Sequence, residues 1–433
     1  MRGIVNGSLR KSRTTGTPAR KRARRGPRRS VRAAAQYFSS AEAAAVLGIS
    51  RGSLYSYVSR GRIRGEPDPR NPRVSRYLAA DVLRLRDGKE ARLHPDIAAR
   101  KTLRWGIPVL ESSLTLIDNG RFYYRGQDAL TLARRTSFED VVRLLWNMPI
   151  GFDVEPQALS RSCRDVMKRW QSLSPMQRMQ SILPIVGADD RGARDITPAG
   201  VMTTGWRVLR ALVAAATLRE PSPSCSVASS LASGWKVAGA GAEAAINTAL
   251  VLSADHELNV SAFAARVVAS ARSTPYDVVS AGLAALAGPL QGGHTSRVED
   301  FLDEAGSPQG VRTCLADRLR SGASIPGFGH PLYPAGDPRG RMLFALVRRR
   351  WPAAEAAAYA DAVTRAGRDL LGEYPTVDHG LVILRRALGL PRGSALVMFA
   401  IGRTAGWIAH AIEQYAAEGL IRPRAEYKGP LRK

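Results

Sequence analysis

Residues 326–340 read PGFGHPLYPAGDPRG, and they place His330 and Arg339 in a run of Gly and Pro. Because glycine and proline interrupt helices, this run predicts a loop between two helical stretches. One histidine in such a loop is more often structural than catalytic, and one arginine is normally a surface charge. This segment becomes a candidate for a functional site because other histidines of the chain lie in similar turns.

Other histidines lie in comparable surroundings. They are His256 in DHELNVSAFAARVVAS (255–270), His294 in GPLQGGHTSRVEDF (288–301) and His379 in PTVDHGLVILRRALGLP (375–391). Together with Arg339 and Arg403, they indicate one candidate site. No HExxH motif and no paired-histidine spacing occurs, so we expect no metal.

The chain from about residue 104 onward has a helical pattern. Amphipathic stretches rich in Ala, Leu and Val alternate with Gly and Pro turns, and no convincing alternating strand pattern stands out. This pattern predicts an all-α domain of roughly 330 residues, large enough to divide into a large and a small helical subdomain.

The histidine segments, in this order, resemble the citrate synthase family. The resemblance also covers ESSLTLIDNGRFYYRGQDALTLARRTSFEDVVRLL (111–145) before them and FAIGRTAGWIAHAIEQYAAEGLIRPRAEYKGP (399–430) after them. It implies a domain over residues 108–433, all-α, with a large and a small subdomain that close over the substrate. It also implies a homodimer.

The resemblance implies condensation of acetyl-CoA, or a related short acyl-CoA, with oxaloacetate to give citrate and CoA. This chemistry needs a carboxylate base, hydrogen-bond donors for the developing oxyanions, and arginines for two carboxylates. No cofactor is implied beyond acyl-CoA as co-substrate. By position, Asp378 is the base and His330 polarises the ketone. The positions matched to oxaloacetate binding are His256, Arg339, Arg403 and, from the partner subunit, Arg422.

This chain departs from the family pattern on the acyl-CoA side. The family's GPLHGG is GPLQGG here, so Gln291 replaces the histidine that stabilises the enolate. Its amide can donate a hydrogen bond but cannot supply a proton. His294 could replace it only if the loop moved. In addition, Pro331 and Pro334 stand where charges that help to hold coenzyme A usually lie, and VDHGLV replaces the usual VD, aromatic pair and Ser-Gly.

The segment SSAEAAAVLGISRGSLYSYVSRGRIR (39–64) predicts two short helices joined by a Gly turn. The following GRIRGEPDPRNPRVSRY (61–77) predicts a wing. The stretch resembles the winged helix-turn-helix of the MerR and excisionase families, within a module at 37–90. That resemblance implies DNA binding through outward-facing residues of the second helix, Arg51, Ser53, Tyr55 and Arg60. A packing or protein-interaction module is the alternative.

Positive charge is concentrated near the N-terminus. Through residue 100 the chain has 24 Lys and Arg against 7 Asp and Glu, in a protein with net charge +27. Residues 1–36 have 12 basic and no acidic residues, which predicts a disordered tail. It is either a solubilising tail, a misassigned start, a nonspecific DNA contact or an organellar transit peptide, although it lacks an amphipathic pattern. Residues 91–107 are predicted to be a linker.

The three cysteines, Cys163, Cys225 and Cys314, are scattered, which disfavours a disulfide framework and a CxxC metal site.

The sequence predicts no membrane span, because every apolar stretch of 18 residues contains a charged residue. No secretory signal fits the start either, so we expect a cytoplasmic protein. Two functions stay open. One is the acyltransferase, and the other is an oxaloacetate- or citrate-sensing DNA-binding regulator with weakened catalysis; a structural paralogue is the third possibility.

Overall fold

The computed structural model describes residues 37–69, 71–79, 81–83, 85–86, 110–154, 157–237, 240–425 and 427–429. The predicted basic tail (1–36) and linker (91–107), and the domain start at 108, lie outside these residues. The chain divides into two compact units, Met1–Glu111 and Ser112–Lys433.

The described part of the first unit contains two complete helices, a three-stranded antiparallel sheet and, after the sheet, the helical residues 79, 81–83 and 85–86. The elements are β1 (Tyr37–Ser39), α1 (Ser40–Leu47), α2 (Arg51–Ser59), β2 (Gly65–Asp68) and β3 (Asn71–Leu78), with strand order β1-β3-β2. The predicted capping box at the start of α1 is confirmed, because Ser39 and Glu42 each bond to the other's backbone amide. Gly48 ends α1 in the left-handed conformation, at φ 60°. The segment predicted as a wing contains the β2–β3 hairpin.

A small apolar core holds these elements together. It consists of Ala43, Leu47, Leu54, Ile63, Tyr77 and Val82. Leu54 comes from the inner face of α2 and is fully buried, whereas Tyr55 beside it is 54% exposed. The outer face of α2 is therefore polar and accessible.

The second unit is mainly helical. Its helices are α3 (Ala129–Arg135), α4 (Phe138–Trp146), α5 (Arg161–Met167), α6 (Pro175–Asp189), α7 (Pro198–Thr217), α8 (Val227–Gly234), α9 (Ala240–Ser253), α10 (Val260–Ser270), α11 (Pro275–Leu286), α12 (Gly293–Ala305), α13 (Gly310–Ser321), α14 (Pro338–Arg350), α15 (Glu355–Leu371), α16 (Val377–Ala387) and α17 (Ser394–Ala416). The predicted helical fold class is confirmed.

One local expectation was wrong. Three short strands precede α3: β4 (Thr115–Asp118), β5 (Arg121–Tyr124) and β6 (Gln127–Asp128), paired antiparallel in the order β4-β5-β6. Alternation exists in β5, where Phe122 and Tyr124 are buried, but four residues are too few to stand out from the sequence.

Helix α17 forms the centre of the large core. It is the one helix, among the described residues, long and apolar enough to cross a membrane, and 94% of its apolar window is buried inside the fold. It packs against α9, α10, α11 and α7. Its apolar character on all sides is therefore explained by burial in protein. Arg403 lies within this buried helix and is 1% exposed.

Helices α14 and α16 approach each other closely at their N-termini. A Cβ atom on Gly340 would lie 2.6 Å from the Thr376 carbonyl oxygen, and one on Gly380 would lie 3.1 Å from the Gly340 Cα. Only glycine permits this approach. The contact places Arg339, in the first turn of α14, near Asp378, in the first turn of α16.

Candidate active site

The structure brings three aromatic rings together at the centre of the candidate site. The ring centroids of His256 and His330 lie 5.3 Å apart, and the Tyr333 ring lies 5.0 Å from His330. The Tyr333 hydroxyl and His256 Nε2 form a hydrogen bond of 2.8 Å. Burial, with the positive charges of Arg339 and Arg403, lowers the pKa of His256 well below its ordinary value. His256 is therefore a neutral polar group here.

The protonation of His330 follows from its backbone contact. Its Nδ1 accepts a hydrogen bond of 3.2 Å from the Leu332 amide, so in the neutral ring the proton lies on Nε2. Burial and the charge of Arg339 lower the pKa of His330 to about 4, against the opposing charges of Asp337 and Asp378. At neutral pH the ring is therefore an uncharged donor through Nε2. The influence of Asp378 also places that carboxylate within electrostatic reach of the ring.

A buried ion pair fixes Arg339. The Asp337 carboxylate accepts hydrogen bonds from Arg339 Nε (3.0 Å), Nη2 (2.9 Å) and backbone amide (3.0 Å). It also accepts one from the Val377 amide at 2.9 Å, so it links the first turns of α14 and α16. Both side chains are at most 3% exposed. Burial would raise the pKa of Asp337, but the charge and hydrogen bonds of Arg339 outweigh it and lower that pKa.

Arg403 extends the positive region from α17. Its Nε donates to the Ser253 carbonyl at 2.8 Å, whereas its Nη2 is buried and has no hydrogen-bond partner among the described residues. Burial lowers the pKa of Arg403 to about 10, against the opposing charge of Asp255, and the side chain stays protonated at neutral pH. An unpaired guanidinium nitrogen close to a second arginine is suited to an anionic ligand.

Asp378 is held through both carboxylate oxygens. Oδ1 accepts a hydrogen bond from the Thr295 hydroxyl at 2.6 Å, and Oδ2 accepts one from the Thr376 hydroxyl at 2.9 Å. The side chain is partly buried in the first turn of α16, where the helix dipole favours negative charge. A carboxylate in this position can act as a base.

Gln291 does not take the donor role expected from its sequence position. Its Nε2 donates to Asn259 Oδ1 (3.0 Å) and to Ser261 Oγ (2.7 Å), so both amide protons are engaged. The Asn259 oxygen also accepts from the Ala262 amide, which fixes it as an acceptor and fixes the orientation of the Gln291 amide. The remaining atom, Oε1, is buried and lacks a partner within the described part of the chain. The arrangement leaves this amide an acceptor.

His294 is also engaged. Its Nε2 accepts a hydrogen bond of 2.7 Å from the Gly327 amide, which holds the loop that carries His330. Nε2 of His294 is therefore an acceptor in this conformation and does not donate to an enolate.

Arg422 is not part of this cluster. It is exposed in the segment after α17, where the neighbouring Ile421 amide donates to Ser270 Oγ at the last residue of α10. His256 lies just before the opposite end of α10. Eleven helical residues separate the two ends by roughly 16 Å. Within one chain, Arg422 therefore lies far from His256.

The residues predicted to contact DNA lie on or next to the outer face of α2. Arg51, Ser53, Tyr55 and Arg60 are all exposed. The Ser53 amide also donates to Ser50 Oγ at the helix N-terminus. Separately, no group of three metal-ligating side chains occurs among the residues that the structure describes.

Several residues at the site carried no recognised signal in the sequence. Asp337 precedes Pro338 at the start of α14, and this Asp-Pro pair is a recognisable helix-start signal that could have drawn attention to it. Thr295, Thr376 and Tyr333 gave no comparable signal. Thr295 and Tyr333 contact residues far away in the chain, and Thr376 contacts Asp378, two residues further on, in place of a first-turn amide.

His379 provides a test of the packing beneath the site. It is fully buried against Phe328, at a centroid distance of 4.7 Å. Burial lowers the pKa of His379 to about 3, although the backbone carbonyl of Pro326 acts to raise it. The unfolded chain therefore binds an extra proton below pH 6.5, and acid destabilises the fold. The unfolding free energy of the parent should fall between pH 7 and pH 5. We expect this fall to be about 1 to 2 kcal/mol smaller in His379→Phe.

Urea denaturation at both pH values measures this difference. The exposed aspartate variant Asp369→Asn serves as a control for general pH effects. An unchanged difference between pH 7 and pH 5 in His379→Phe would contradict the assignment of acid sensitivity to this ring.

Neutral histidines, buried arginines and a carboxylate at a helix N-terminus are suited to acid–base chemistry on an anionic substrate. The family model "Citrate synthase, C-terminal domain" matches residues 102–424. Citrate synthase 2 of Bacillus subtilis (strain 168) is 30% identical over 353 residues, which cover 75% of this chain and 95% of that protein. The citrate synthase of Haloferax volcanii is 32% identical, covering 75% and 94%.

Solved structures agree. The ternary complex of citrate synthase from Thermoplasma acidophilum with carboxymethyl coenzyme A and oxaloacetate matches with a TM-score of 0.68 at 25% identity, covering 77% of this chain and 97% of that one. The chain belongs to the citrate synthase family, and it is a citrate synthase-like enzyme.

Proposed function

We propose that this enzyme condenses acetyl-CoA, or a related short acyl-CoA, with oxaloacetate to give citrate, or its homologue, and free CoA. The observation that carries the proposal is the arrangement of neutral His330 near the Arg339–Arg403 pair, with Asp378 in electrostatic reach. The two arginines suit a dicarboxylate. The Thermoplasma relative was solved with oxaloacetate and a coenzyme A analogue.

In this proposal Asp378 removes a proton from the thioester methyl group, and the resulting carbon nucleophile attacks the ketone carbon of oxaloacetate. His330 donates through Nε2 to the ketone oxygen as negative charge develops there. His256 and Arg339 line the oxaloacetate side. Water then cleaves the thioester, and the thiol of CoA leaves. Acyl-CoA is a co-substrate, and no cofactor is needed.

The weak point of the reaction is the enolate oxygen. Gln291 has both amide protons engaged with Asn259 and Ser261, so a donor is missing where the family places a histidine. Losing one such donor lowers turnover by about 10²- to 10³-fold in other enzymes. We therefore expect slow turnover in this protein.

The proposal is tested by following thiol release from acetyl-CoA in the presence of oxaloacetate. We expect slow but measurable turnover in the parent and an increase of about 10²-fold in Gln291→His, because imidazole can supply the missing donor. The exposed Gln309→His variant is the matched control and should leave the rate unchanged. The proposed activity would be refuted if neither the parent nor Gln291→His turned over while calorimetry still showed oxaloacetate binding.

Assembly belongs to the same proposal. Because Arg422 is exposed and lies far from His256 in its own chain, it can reach a site only in a second copy, as expected for a homodimer. A cytoplasmic location fits these substrates.

A second function is DNA binding by the first unit, in a regulator that senses oxaloacetate or citrate. Exposed Arg51 and Tyr55 on α2, beside the β2–β3 hairpin, favour it. The engaged amide of Gln291 favours weakened catalysis. The module would then resemble a winged helix-turn-helix with α2 in the major groove.

For the full chain, we expect affinity for duplex DNA to fall with salt, and Arg51→Ala to weaken binding by about 1 to 3 kcal/mol, because Arg51 is proposed to contact base edges. Arg312→Ala, an exposed arginine of the second unit, is the control. Equal affinities of both variants and the parent would argue against this role of α2.

A further inference from the structure

Asp378 is part of a closed ring of hydrogen bonds. The Gly327 amide donates to His294 Nε2 at 2.7 Å, and the Thr376 amide donates to the Gly327 carbonyl at 2.8 Å. The Thr376 and Thr295 hydroxyls then donate to the two oxygens of Asp378, at 2.9 and 2.6 Å. His294 and Thr295 are neighbours in the first turn of α12, so the ring closes.

The ring joins three separate parts of the chain. They are the first turn of α12, the loop at 326–330 and the start of α16. Each oxygen of Asp378 accepts a hydrogen bond from a different part of the chain, so rotation of the carboxylate would break one of the two bonds. Thr295 is fully buried and Thr376 is 6% exposed, so water does not readily replace either hydroxyl.

The hydroxyl of Thr376 has an alternative partner that it does not use. Thr376 is the N-cap residue of α16, where threonine ordinarily accepts a hydrogen bond from a first-turn amide. Its side chain makes no such cap and donates to Asp378 instead. The local helix geometry alone does not explain this contact.

The same ring also fixes the position of His330. Gly327 has φ +80°, and a Cβ there would lie 2.6 Å from the His379 ring, so the loop is packed against α16 without room for adjustment. His330 follows three residues later. The base and the ketone-polarising histidine are therefore attached to one frame.

We infer that Thr295 and His294 are positioning residues that hold Asp378 and His330 in register for proton abstraction and carbonyl polarisation. This inference rests on the proposed function for its catalytic meaning. It gives a role to two residues that directly follow the altered GPLQGG motif. Neither residue acts on substrate; Thr295 acts through Asp378, and His294 acts through the loop.

The test compares Thr295→Val, Thr295→Ser and a matched control, Thr364→Val, in the full chain. Thr364 also loses a hydroxyl bond, to the Ala360 carbonyl, but within α15. We expect Thr295→Val to lower kcat by about 10- to 100-fold, because small displacements of a base have effects of that size. KM for oxaloacetate should change less than twofold, and Thr295→Ser should recover most of kcat. A fall in kcat that Ser does not restore, or one matched by Thr364→Val, overturns the inference.

A second measurement does not need turnover. In the ring, the Thr295 hydroxyl stabilises the protein through Asp378, so Thr295→Val should lower Tm by about 2 °C or more in the parent. In an Asp378→Ala background the loss should be clearly smaller. If Thr295→Val lowers Tm equally in the parent and in Asp378→Ala, the inference is wrong even if the parent is active. If the parent lacks turnover, the proposed function fails, and this Tm comparison alone decides the inference.

Discussion

Replacing Asp378 by asparagine should lower the rate of thiol release by about 10³-fold, while oxaloacetate binding stays within a fewfold of the parent. The reason is that asparagine keeps the shape of the side chain but cannot accept the methyl proton. The arginines that are proposed to bind oxaloacetate are held by Asp337 and by the Ser253 carbonyl, and asparagine keeps one of the two acceptor oxygens that Asp378 offers to the ring, so oxaloacetate binding should change little. An assay of thiol release gives the rate, and calorimetry gives the affinity for oxaloacetate.

The control for this substitution is Asp361→Asn. Asp361 is an exposed residue of α15 that pairs with Arg348, and it should leave both quantities unchanged. A parental rate in Asp378→Asn would show that another group removes the proton, and the mechanism proposed above would have to be abandoned.

The second large effect is on stability, at Asp337. Replacing Asp337 by alanine leaves Arg339 buried without its partner and removes the acceptor of the Val377 amide. Breaking a buried pair in this way costs about 3 to 5 kcal/mol of unfolding free energy. Urea denaturation at pH 7 measures the loss, which should be accompanied by loss of activity because the first turns of α14 and α16 come apart.

The exposed pair provides the comparison. Asp361→Ala breaks the Arg348–Asp361 pair and should cost less than about 1 kcal/mol, because exposed ion pairs are screened by water. The pKa of Asp337 is lowered in the fold, so its contribution is present at neutral pH and is lost on acidification. The difference between the parent and Asp337→Ala should therefore shrink as the pH falls. A difference of 1 kcal/mol or less at pH 7 would contradict the importance assigned to the pair.

The sequence was informative wherever local chemistry decides the outcome. The capping box of Ser39 and Glu42 and the Gly48 turn were predictable because they depend on residues three or four positions apart. The order of the histidine segments indicated the family. That order predicts one site for the set His256, His330, Arg339, Arg403 and Asp378. In the structure the two histidines lie next to each other, and the charges of both arginines act on His256.

The short strands β4 to β6 were missed because each has four residues or fewer, which is too short for a period of two to be recognised. The state of Gln291 was not predictable either. Its residue type permits donation, but Asn259 and Ser261, about 30 positions earlier, decide which atoms of the amide remain available.

The helical class, the family and the residue types available for acid–base chemistry follow from composition, spacing and motif order. The protonation of His330, the partners of Arg339, the acceptor state of Gln291 and the ring through Asp378 follow from the packed fold. Each of these depends on burial and on hydrogen bonds between residues that are distant in the chain or held by loop geometry. The hydrogen bonds of Gln291 to Asn259 and Ser261 and of Asp378 to Thr295 exist only once α10, α12 and α16 have packed.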